Sequence, residues 1–177
     1  MNLYVIRHGE TNLNKEERYN CRIDEDINEE GIKQAMEAGK HINELNIDLI
    51  ICSPMKRTKH TMRIINKNNI EVIYDDRLME RIGGVLTGEK LGDFYYTDFW
   101  NFYSNKKVDG LESLDDLFKR VREFLDEIKE KYKNKNILLV THGGVARAVY
   151  FYFNALPKDG MIEKVGINNC EIGAYKM

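Results

Sequence analysis

Four short apolar runs, rich in Ile, Leu and Val, are spaced along the chain and separated by longer polar or amphipathic segments. They cover residues 3–6, 49–52, 70–74 and 136–140. Continuous apolar runs of this length are typical of parallel strands that are buried on both faces. One or two further strands are predicted in the tail, over residues 162–165 and 171–175.

Apolar positions recur at helical spacing in the segments between and after these runs. The predicted helices cover residues 29–42, 54–65, 114–132 and 145–153. Asn28, Ser53 and Ser113 stand where N-caps are expected. Pro54 follows Ser53, and its fixed φ suits the first helical position. Residues 12–26 are interpreted as a loop, 75–93 as a structured loop and the aromatic-rich residues 94–103 as a short covering helix.

The alternation of strands and helices predicts an α/β fold, a three-layer sandwich with a mostly parallel central sheet flanked by helices. A length of 177 residues favours a single domain over residues 1–177. The net charge of −2 gives no general attraction to nucleic acid or to an anionic membrane. Any affinity for an anion must therefore come from a local cluster.

The three cysteines, Cys21, Cys52 and Cys170, have no CxxC spacing. Their odd number argues against a disulfide framework or a zinc knuckle and favours a reducing compartment. The N-terminus lacks the basic flank and apolar core of a signal peptide. No apolar run approaches the roughly 20 residues of a membrane helix. We therefore expect a cytoplasmic protein.

Three of the predicted strands end in turns that carry cationic or imidazole side chains. The turns are residues 7–9 (Arg-His-Gly), 53–57 (Ser-Pro-Met-Lys-Arg) and 141–144 (Thr-His-Gly-Gly). Because the carboxyl ends of parallel strands meet at one edge of a sheet, we expect two histidines and two arginines to share a small volume. Such a group is repulsive unless an anion belongs among them. Adjacent glycines and helix N-termini would add backbone N–H groups, which points to a phosphoryl ligand.

These residues resemble the motifs of the histidine phosphatase superfamily, which includes the cofactor-dependent phosphoglycerate mutases. Residues 7–11 (RHGET) followed by Asn14 resemble its opening signature, and residues 141–144 resemble its second-histidine turn. Further matching motifs, in the same order as in the family, lie at residues 18–21, 27–35, 53–61 and 78–88. The resemblance runs over nearly the whole chain and implies a phosphoglycerate mutase-like fold.

The resemblance implies a role for each matching residue. His8 is implied as the nucleophile that forms a phosphohistidine, with its other ring nitrogen donating to a backbone carbonyl. Glu80 is implied as the proton donor to the leaving oxygen and then as the base for water. The groups implied to hold the phosphoryl oxygens are Arg7, Asn14, Arg57, His142 and the backbone of Gly143. Opposite a phosphate dianion we expect His142, the third catalytic residue, to be protonated.

Two positions near this site depart from the family pattern. Cys21 stands where the family usually has glycine. We place it among the substrate-binding residues, where it either narrows the substrate entrance or acts as a reactive thiol, unless it is a spectator. Thr87 occupies a position that is often acidic in the family. We expect these departures to affect specificity more than mechanism.

The resemblance implies a phosphomonoesterase for a small phosphorylated metabolite, α-ribazole phosphatase-like or of broad specificity. Residues 75–113 are implied to carry the acid and cover the substrate, and they are short enough to leave the site open to water. Arg81 is a mutase-like feature, so cofactor-dependent phosphoglycerate mutase activity is an alternative. A non-catalytic phosphate-binding module is a second alternative. We expect no metal, no cofactor and no nucleic-acid or membrane partner, and the oligomeric state stays open, with a homodimer as one option.

Overall fold

The structure, a computed structural model, describes residues 1–91, 99–104 and 109–177. These residues fold into a five-stranded sheet with helices on both faces. The strands are β1 (Asn2–Arg7), β2 (Leu49–Cys52), β3 (Val72–Tyr74), β4 (Asn136–Thr141) and β5 (Ile172–Lys176). The α-helices are α1 (Asn12–Lys15), α2 (Glu29–Ile42), α3 (Lys56–Ile65), α4 (Leu114–Lys131) and α5 (Gly143–Phe153).

The strand order in the sheet is β3-β2-β4-β1-β5. The first four of these strands run parallel to their neighbours, and β5 pairs antiparallel with β1 at the edge. Parallel neighbours need crossover connections, and the helices between the strands supply them. The mostly parallel α/β sheet predicted from the sequence is confirmed.

Alternate residues of the central strands pack on opposite sides of the sheet, as the strand period of two requires. Leu3 and Val5 belong to the core beneath α4 and α5, whereas Ile6 belongs to the core beneath α2 and α3. Likewise Ile51 faces the first core and Ile50 the second. Burial on both faces explains why these strands are continuous apolar runs, and it confirms the three layers.

Two of the three predicted N-caps are confirmed. The side chain of Asn28 accepts from the backbone N–H of Gly31 at 2.9 Å, and that of Ser113 accepts from Asp116 at 3.0 Å. The third prediction was wrong: α3 begins at Lys56, two residues later than expected, and has no side-chain cap. The Ser53 hydroxyl instead lies 2.8 Å from Nε2 of His142.

The irregular segments also differ from prediction. Residues 162–165 form no strand: pairing with other described residues is confined to one antiparallel bridge between Asn101 and Met161, and the chain then turns, with the N–H of Val165 donating to Ile162 O at 3.2 Å. The predicted loop over residues 12–26 contains the single turn of α1. Half of the helix predicted over residues 94–103 (94–98) lies outside the described residues; in the described half, Phe99 and Trp100 are buried.

Within the described ranges, no helix is long and apolar enough to span a lipid bilayer.

Candidate active site

The strand register brings the three turns that follow β1, β2 and β4 to one edge of the sheet. Arg7 at the end of β1 pairs with Thr141 at the end of β4, and Cys52 at the end of β2 pairs with Val140. The imidazole rings of His8 and His142, each the next residue after its strand, have centroids 5.2 Å apart at an interplanar angle of 61°. The two histidines predicted to meet therefore do meet.

The ring of His8 is held in one tautomer. Its Nδ1 lies 2.7 Å from the carbonyl oxygen of Gly9. Because a carbonyl oxygen can only accept, Nδ1 carries the hydrogen and Nε2 holds the lone pair. The backbone N–H of His8 donates to Thr141 O at 3.0 Å, which ties the turn to β4. This is the arrangement that a nitrogen nucleophile needs.

The surroundings of His8 favour its neutral form. Burial lowers the pKa of the imidazole well below its ordinary value, and the nearby charges of Arg57 and Arg7 lower it further. The hydrogen bond to Gly9 opposes this shift but does not reverse it. The lone pair on Nε2 is therefore retained at neutral pH.

His142 is also neutral in this geometry. Its Nδ1 lies 3.2 Å from Nε of Arg57, and its Nε2 lies 2.8 Å from the hydroxyl of Ser53. A guanidinium can only donate, so Nδ1 carries no hydrogen. Burial and the charge of Arg57 lower the pKa of His142 well below its ordinary value. The protonated form that we expect opposite a phosphate dianion would require the hydrogen bond from Arg57 to break.

Arg57 is fully buried, and three of its N–H groups donate hydrogen bonds within the protein. Besides the bond to His142, Nη1 donates to Ile23 O at 2.7 Å and Nη2 donates to Cys21 O at 2.8 Å. A guanidinium has five N–H donors, so these three bonds do not exhaust it. The segment that contains Cys21 and Ile23 thus fixes Arg57 beside both histidines.

Arg7 lies at the N-terminus of α5. Its Nη1 donates to Ile167 O at 3.2 Å, and its Nε is only 3.7 Å from the position that a Cβ on Gly143 would occupy. Nε is buried and has no hydrogen-bond partner among the described residues. Burial lowers the pKa of this guanidinium, and the opposite charge of Glu80 raises it. A buried donor of this kind calls for an acceptor, which an anion in the site would supply.

The amide of Asn14 is oriented by two donors. Its Oδ1 accepts from the backbone N–H of Thr11 at 3.2 Å and from Nδ2 of Asn169 at 3.3 Å. Nδ2 of Asn169 also donates to His8 O at 2.9 Å. With its oxygen occupied in this way, the NH₂ of Asn14 is the end available to donate to an anion. Sequence reasoning missed Asn169, which has no motif signal of its own.

Thr61 positions the turn that carries His8. Its hydroxyl accepts from the backbone N–H of Gly9 at 3.0 Å and donates to Arg57 O at 2.7 Å. Gly9 also lies against Gly31 of α2 so closely that a Cβ on Gly9 would be 2.5 Å from Gly31 O. Both α2 and α3 therefore contact the backbone of the turn that carries His8.

Glu80 reaches the same volume from the loop after β3. Its Oε2 accepts from the backbone N–H of Gly144 at 3.1 Å, and its Oε1 accepts from the backbone N–H of Arg81 at 2.8 Å. Its charge acts on both Arg7 and Arg57. The carboxyl group predicted as the proton donor thus lies at the start of α5, bound to the backbone two residues after His142.

Cys21 contributes its backbone to the site and its thiol to the neighbouring loop. Its carbonyl oxygen accepts from Arg57, as described above. Its Sγ occupies the space where a Cβ on Gly83 would lie, and it is hydrogen-bonded to the hydroxyl of Thr87. The residue is buried, and burial raises the pKa of its thiol to about 12. The two departures from the family pattern, Cys21 and Thr87, are therefore direct neighbours.

Arg81 ties the loop of Glu80 to the segment that covers it. Its Nε donates to Glu112 O at 2.7 Å, its Nη1 donates to Phe99 O, and its guanidinium carbon lies 4.4 Å from the centre of the Phe99 ring. Burial lowers its pKa to about 10. The Glu112 carboxylate binds Arg120 through both oxygens and accepts from the N–H of Ile82. These contacts hold the acid loop at both ends.

Among the described residues, no group of three or more His, Cys, Asp or Glu side chains is arranged to hold a metal ion. The chemistry that the site itself offers is a lone pair on an imidazole nitrogen, two guanidinium groups, an oriented amide, helix N–H groups and one carboxyl group. This set suits phosphoryl transfer with charge stabilisation and proton transfer.

Comparison with known proteins places this geometry in context. A family model described as "Histidine phosphatase superfamily (branch 1)" matches residues 3–177. The chain is 34% identical over 155 residues to phosphoserine phosphatase 1 of Hydrogenobacter thermophilus, covering 84% of this chain and 74% of that protein. It is 32% identical over 176 residues to a metal-independent phosphoserine phosphatase of Arabidopsis thaliana, covering 94% and 74%.

A solved structure has the same fold. It is the crystal structure of phosphoserine phosphatase from Entamoeba histolytica in complex with 3-phosphoglyceric acid, which is 26% identical to this chain. The superposition has a TM-score of 0.85 and covers 98% of this chain and 89% of the other. The likeness therefore extends over the sheet, both helical layers and the loops of the site.

Proposed function

The chain belongs to the histidine phosphatase superfamily and is a phosphomonoester hydrolase, and we propose that it works through a phosphohistidine formed on His8 without a metal ion. The observation that carries this proposal is the tautomer of His8. Its Nδ1 donates its hydrogen to Gly9 O at 2.7 Å, which leaves the lone pair on Nε2 near the guanidinium groups of Arg57 and Arg7.

The first step is transfer of the phosphoryl group from substrate to enzyme. The Nε2 lone pair of His8 attacks phosphorus, and the bond between phosphorus and the ester oxygen breaks with its electron pair going to that oxygen. Glu80 in its acid form gives its proton to the same oxygen, so the product leaves as a neutral hydroxyl. After this step His8 is phosphorylated and Glu80 is a carboxylate.

The second step is hydrolysis of the phosphohistidine. Water attacks phosphorus and gives one proton to the Glu80 carboxylate, and the N–P bond breaks with its electron pair returning to Nε2. Phosphate is released, His8 is again neutral, and Glu80 is again an acid. A general acid or base in this position typically contributes about 10²–10⁴-fold in rate.

The charge that develops on the phosphoryl oxygens is stabilised by donors fixed in advance. They are the guanidinium groups of Arg7 and Arg57, the Asn14 amide and the Gly143 backbone N–H. His142 joins them as a further donor when a bound phosphoryl group displaces its hydrogen bond from Arg57 and it gains a proton. Because burial and mutual contacts hold these groups in place, little reorganisation is needed in the transition state. Loss of one such donor typically costs on the order of 10²–10³-fold in rate.

We propose a small phosphomonoester as the substrate, with O-phosphoserine as the first candidate because two relatives that match most of the chain are named phosphoserine phosphatases. α-Ribazole 5′-phosphate, sugar phosphates and phosphoglycerates complete the panel to be assayed. The substrate is the one with the highest kcat/KM, provided that His8→Ala abolishes its turnover.

The phosphoglycerate mutase alternative gains no support from Arg81. That guanidinium, which we noted as a mutase-like feature, donates to two backbone carbonyls and stacks on Phe99. It therefore acts within the fold rather than as an evident ligand for a substrate carboxylate. Interconversion of 2- and 3-phosphoglycerate stimulated by 2,3-bisphosphoglycerate, faster than release of phosphate, would restore the mutase alternative.

We also propose that residues 1–177 act as one domain in which residues 75–113 carry the acid and cover the substrate. Arg81 supports this, because it links the acid loop to Phe99 and to Glu112.

We propose the cytoplasm, a reducing compartment, as the location of the protein. The three cysteines are free thiols, which suits such a compartment.

The decisive experiment traps the intermediate. The protein is mixed with a ³²P-labelled substrate in EDTA, quenched within milliseconds and assayed for protein-bound phosphate that is labile to acid and stable to base. We expect such label in the wild type and none in His8→Ala. Turnover in EDTA without a phosphorylated intermediate would contradict the covalent mechanism, and equal hydrolysis by both proteins would support the non-catalytic module instead.

A further inference from the structure

The carboxyl group of Glu80 is seated on two backbone N–H groups from different parts of the chain. Gly144 donates to Oε2 at 3.1 Å, and Arg81 donates to Oε1 at 2.8 Å. Gly144 is the second residue of α5, and its N–H is one of the four at a helix start that have no intrahelical partner. Glu80 therefore occupies a donor of α5 that would otherwise need another acceptor.

We call this position of the Glu80 carboxyl group, bound to the N–H groups of Arg81 and Gly144, the seat. It exists only because residue 144 has no side chain. A Cβ on Gly144 would overlap Oε1 of Glu80 and lie 3.3 Å from its Cδ. Trp100 stands 3.5 Å from the same position, so it closes another side of this space. The carboxyl group would have to move away from the N–H of Gly144 to make room.

This contact differs in kind from the other tight glycine contact of the site. A Cβ on Gly9 would meet the backbone of Gly31, which cannot yield without shifting α2. At Gly144 the atom in the way is the end of a flexible side chain. An alanine at residue 144 should therefore leave the fold intact and displace only the carboxyl group.

We propose that Gly144 is a positioning residue for the proton donor: its missing Cβ and its backbone N–H together hold the carboxyl group of Glu80 where it meets the leaving oxygen. The inference rests on the proposed role of Glu80. It divides the N-terminus of α5 between two tasks, since the N–H of Gly143 serves the phosphoryl group and that of Gly144 serves the acid. Both seat bonds persist in the acid form, because a protonated carboxyl group still accepts hydrogen bonds.

A misplaced proton donor has a specific kinetic signature. Protonation matters most when the leaving oxygen is strongly basic, as in an alkyl phosphate, and least when it is weakly basic, as in 4-nitrophenyl phosphate. The second-order constant kcat/KM reports the steps up to departure of the leaving group. A general loss of structure would lower this constant for both substrates alike.

The test measures kcat/KM for Gly144→Ala, Glu80→Gln and the double variant on 4-nitrophenyl phosphate, phenyl phosphate and an alkyl phosphate. We expect Gly144→Ala to lower kcat/KM for the alkyl phosphate by about 10²-fold and for 4-nitrophenyl phosphate by less than about 3-fold. The double variant should be no worse than Glu80→Gln alone, because both changes remove the same proton transfer. The matched control is Gly39→Ala, at a helical glycine where an added Cβ would lie 3.4 Å from its nearest neighbour. This variant should leave kcat/KM unchanged for all three substrates.

The outcomes separate the seat from the acid. If Glu80→Gln shows the leaving-group dependence and Gly144→Ala does not, the seat is refuted while the role of Glu80 stands. If Glu80→Gln lowers kcat/KM equally for all three substrates, the proposed role of Glu80 is refuted and the seat falls with it. An equal loss for all substrates in Gly144→Ala, with a lowered melting temperature, would assign Gly144 to the fold alone.

Discussion

Nδ2 of Asn169 lies 3.3 Å from Oδ1 of Asn14, and the same nitrogen donates to the carbonyl oxygen of His8 at 2.9 Å. Asn169 precedes β5, more than 150 positions after the two residues that it joins. It thus fixes both the backbone behind the nucleophile and the direction in which the Asn14 amide points. The segment before the edge strand, which carries no predicted catalytic residue, thus reaches the site through this side chain as well as through the carbonyl oxygen of Ile167, which accepts from Arg7.

Replacement of Asn169 by alanine should impair catalysis more than stability. It removes hydrogen bonds that are worth about 0.5–1.5 kcal/mol each and frees the Asn14 amide to rotate. We expect kcat/KM to fall about 10-fold, which corresponds to about 1.4 kcal/mol of transition-state stabilisation. Steady-state kinetics with 4-nitrophenyl phosphate measure the effect.

The neighbouring Asn168 provides the control for this variant. Its side chain is exposed and its Nδ2 donates to the carboxylate of Glu171 in the same turn, so Asn168→Ala should retain the wild-type kcat/KM. Asn14→Ala combined with Asn169→Ala should lose less than the product of the two single losses, since the pair acts as a unit. Full multiplicativity would show that Asn169 does not act through Asn14.

The hydroxyl of Thr61 should prove necessary for the catalytic turn. Thr61→Val keeps the shape of the side chain but leaves the buried N–H of Gly9 and the carbonyl of Arg57 without this partner. An unsatisfied buried group costs about 1–3 kcal/mol, so the free energy of unfolding in urea should fall by that amount. Thr61→Ser, which keeps the hydroxyl, should retain more of the stability; equal losses in both variants would assign the effect to packing of the methyl group.

Stability should decline as the pH falls below about 6.5, the ordinary histidine pKa. Burial lowers the pKa of His8 and of His142 in the folded protein, so in this range the unfolded chain binds more protons than the folded one. The stabilisation is therefore complete above pH 6.5 and is lost towards lower pH. Each histidine should contribute a slope of up to about 1.4 kcal/mol per pH unit.

Urea unfolding between pH 7.5 and 5.5 measures this slope. The His8→Gln/His142→Gln variant should lose most of it, whereas His41→Gln, at an exposed position near the end of α2, should keep the wild-type slope. A double variant that retains the wild-type slope would show that the two buried histidines are not its source.

The three cysteines should be inert in the native protein. Burial raises the pKa of each thiol, in Cys21, Cys52 and Cys170, to about 12. At pH 8 the reactive thiolate is then on the order of 10⁻⁴ of each group. An aromatic disulfide reagent should label all three in urea and none in the folded protein. Rapid labelling of Cys21 in the folded state, with loss of activity, would instead support the reactive thiol considered from the sequence.

The sequence determined the fold class because the central strands β2 and β4 of the parallel sheet are buried on both faces and so must be apolar almost throughout. It also predicted the convergence at the active site, since strands that run parallel deliver the residues that follow them to one edge. His8, Arg57 and His142 could be placed together on that argument before any contact was known.

Helix starts were less predictable, and Ser53 shows why. Serine followed by proline is a strong local signal for an N-cap, but the hydroxyl is used by His142 instead, 89 positions away in the chain. A side chain has few hydrogen-bonding groups, and a tertiary partner can take the one that a local rule assigns to the helix. The strand predicted over residues 162–165 fails for a similar reason, since the N–H of Val165 donates to Ile162 O in a turn and pairing ends at the single bridge of Met161.

The sequence by itself thus determined which chemical groups meet, because strand direction and hydrophobic periodicity are local properties. Only the tertiary structure decided how those groups are held. The Gly9 carbonyl sets the tautomer of His8, Asn169 orients Asn14, and Gly144 makes room for Glu80. Each of these depends on a distance of a few ångströms between segments far apart in the chain, and no local pattern of residues encodes such a distance.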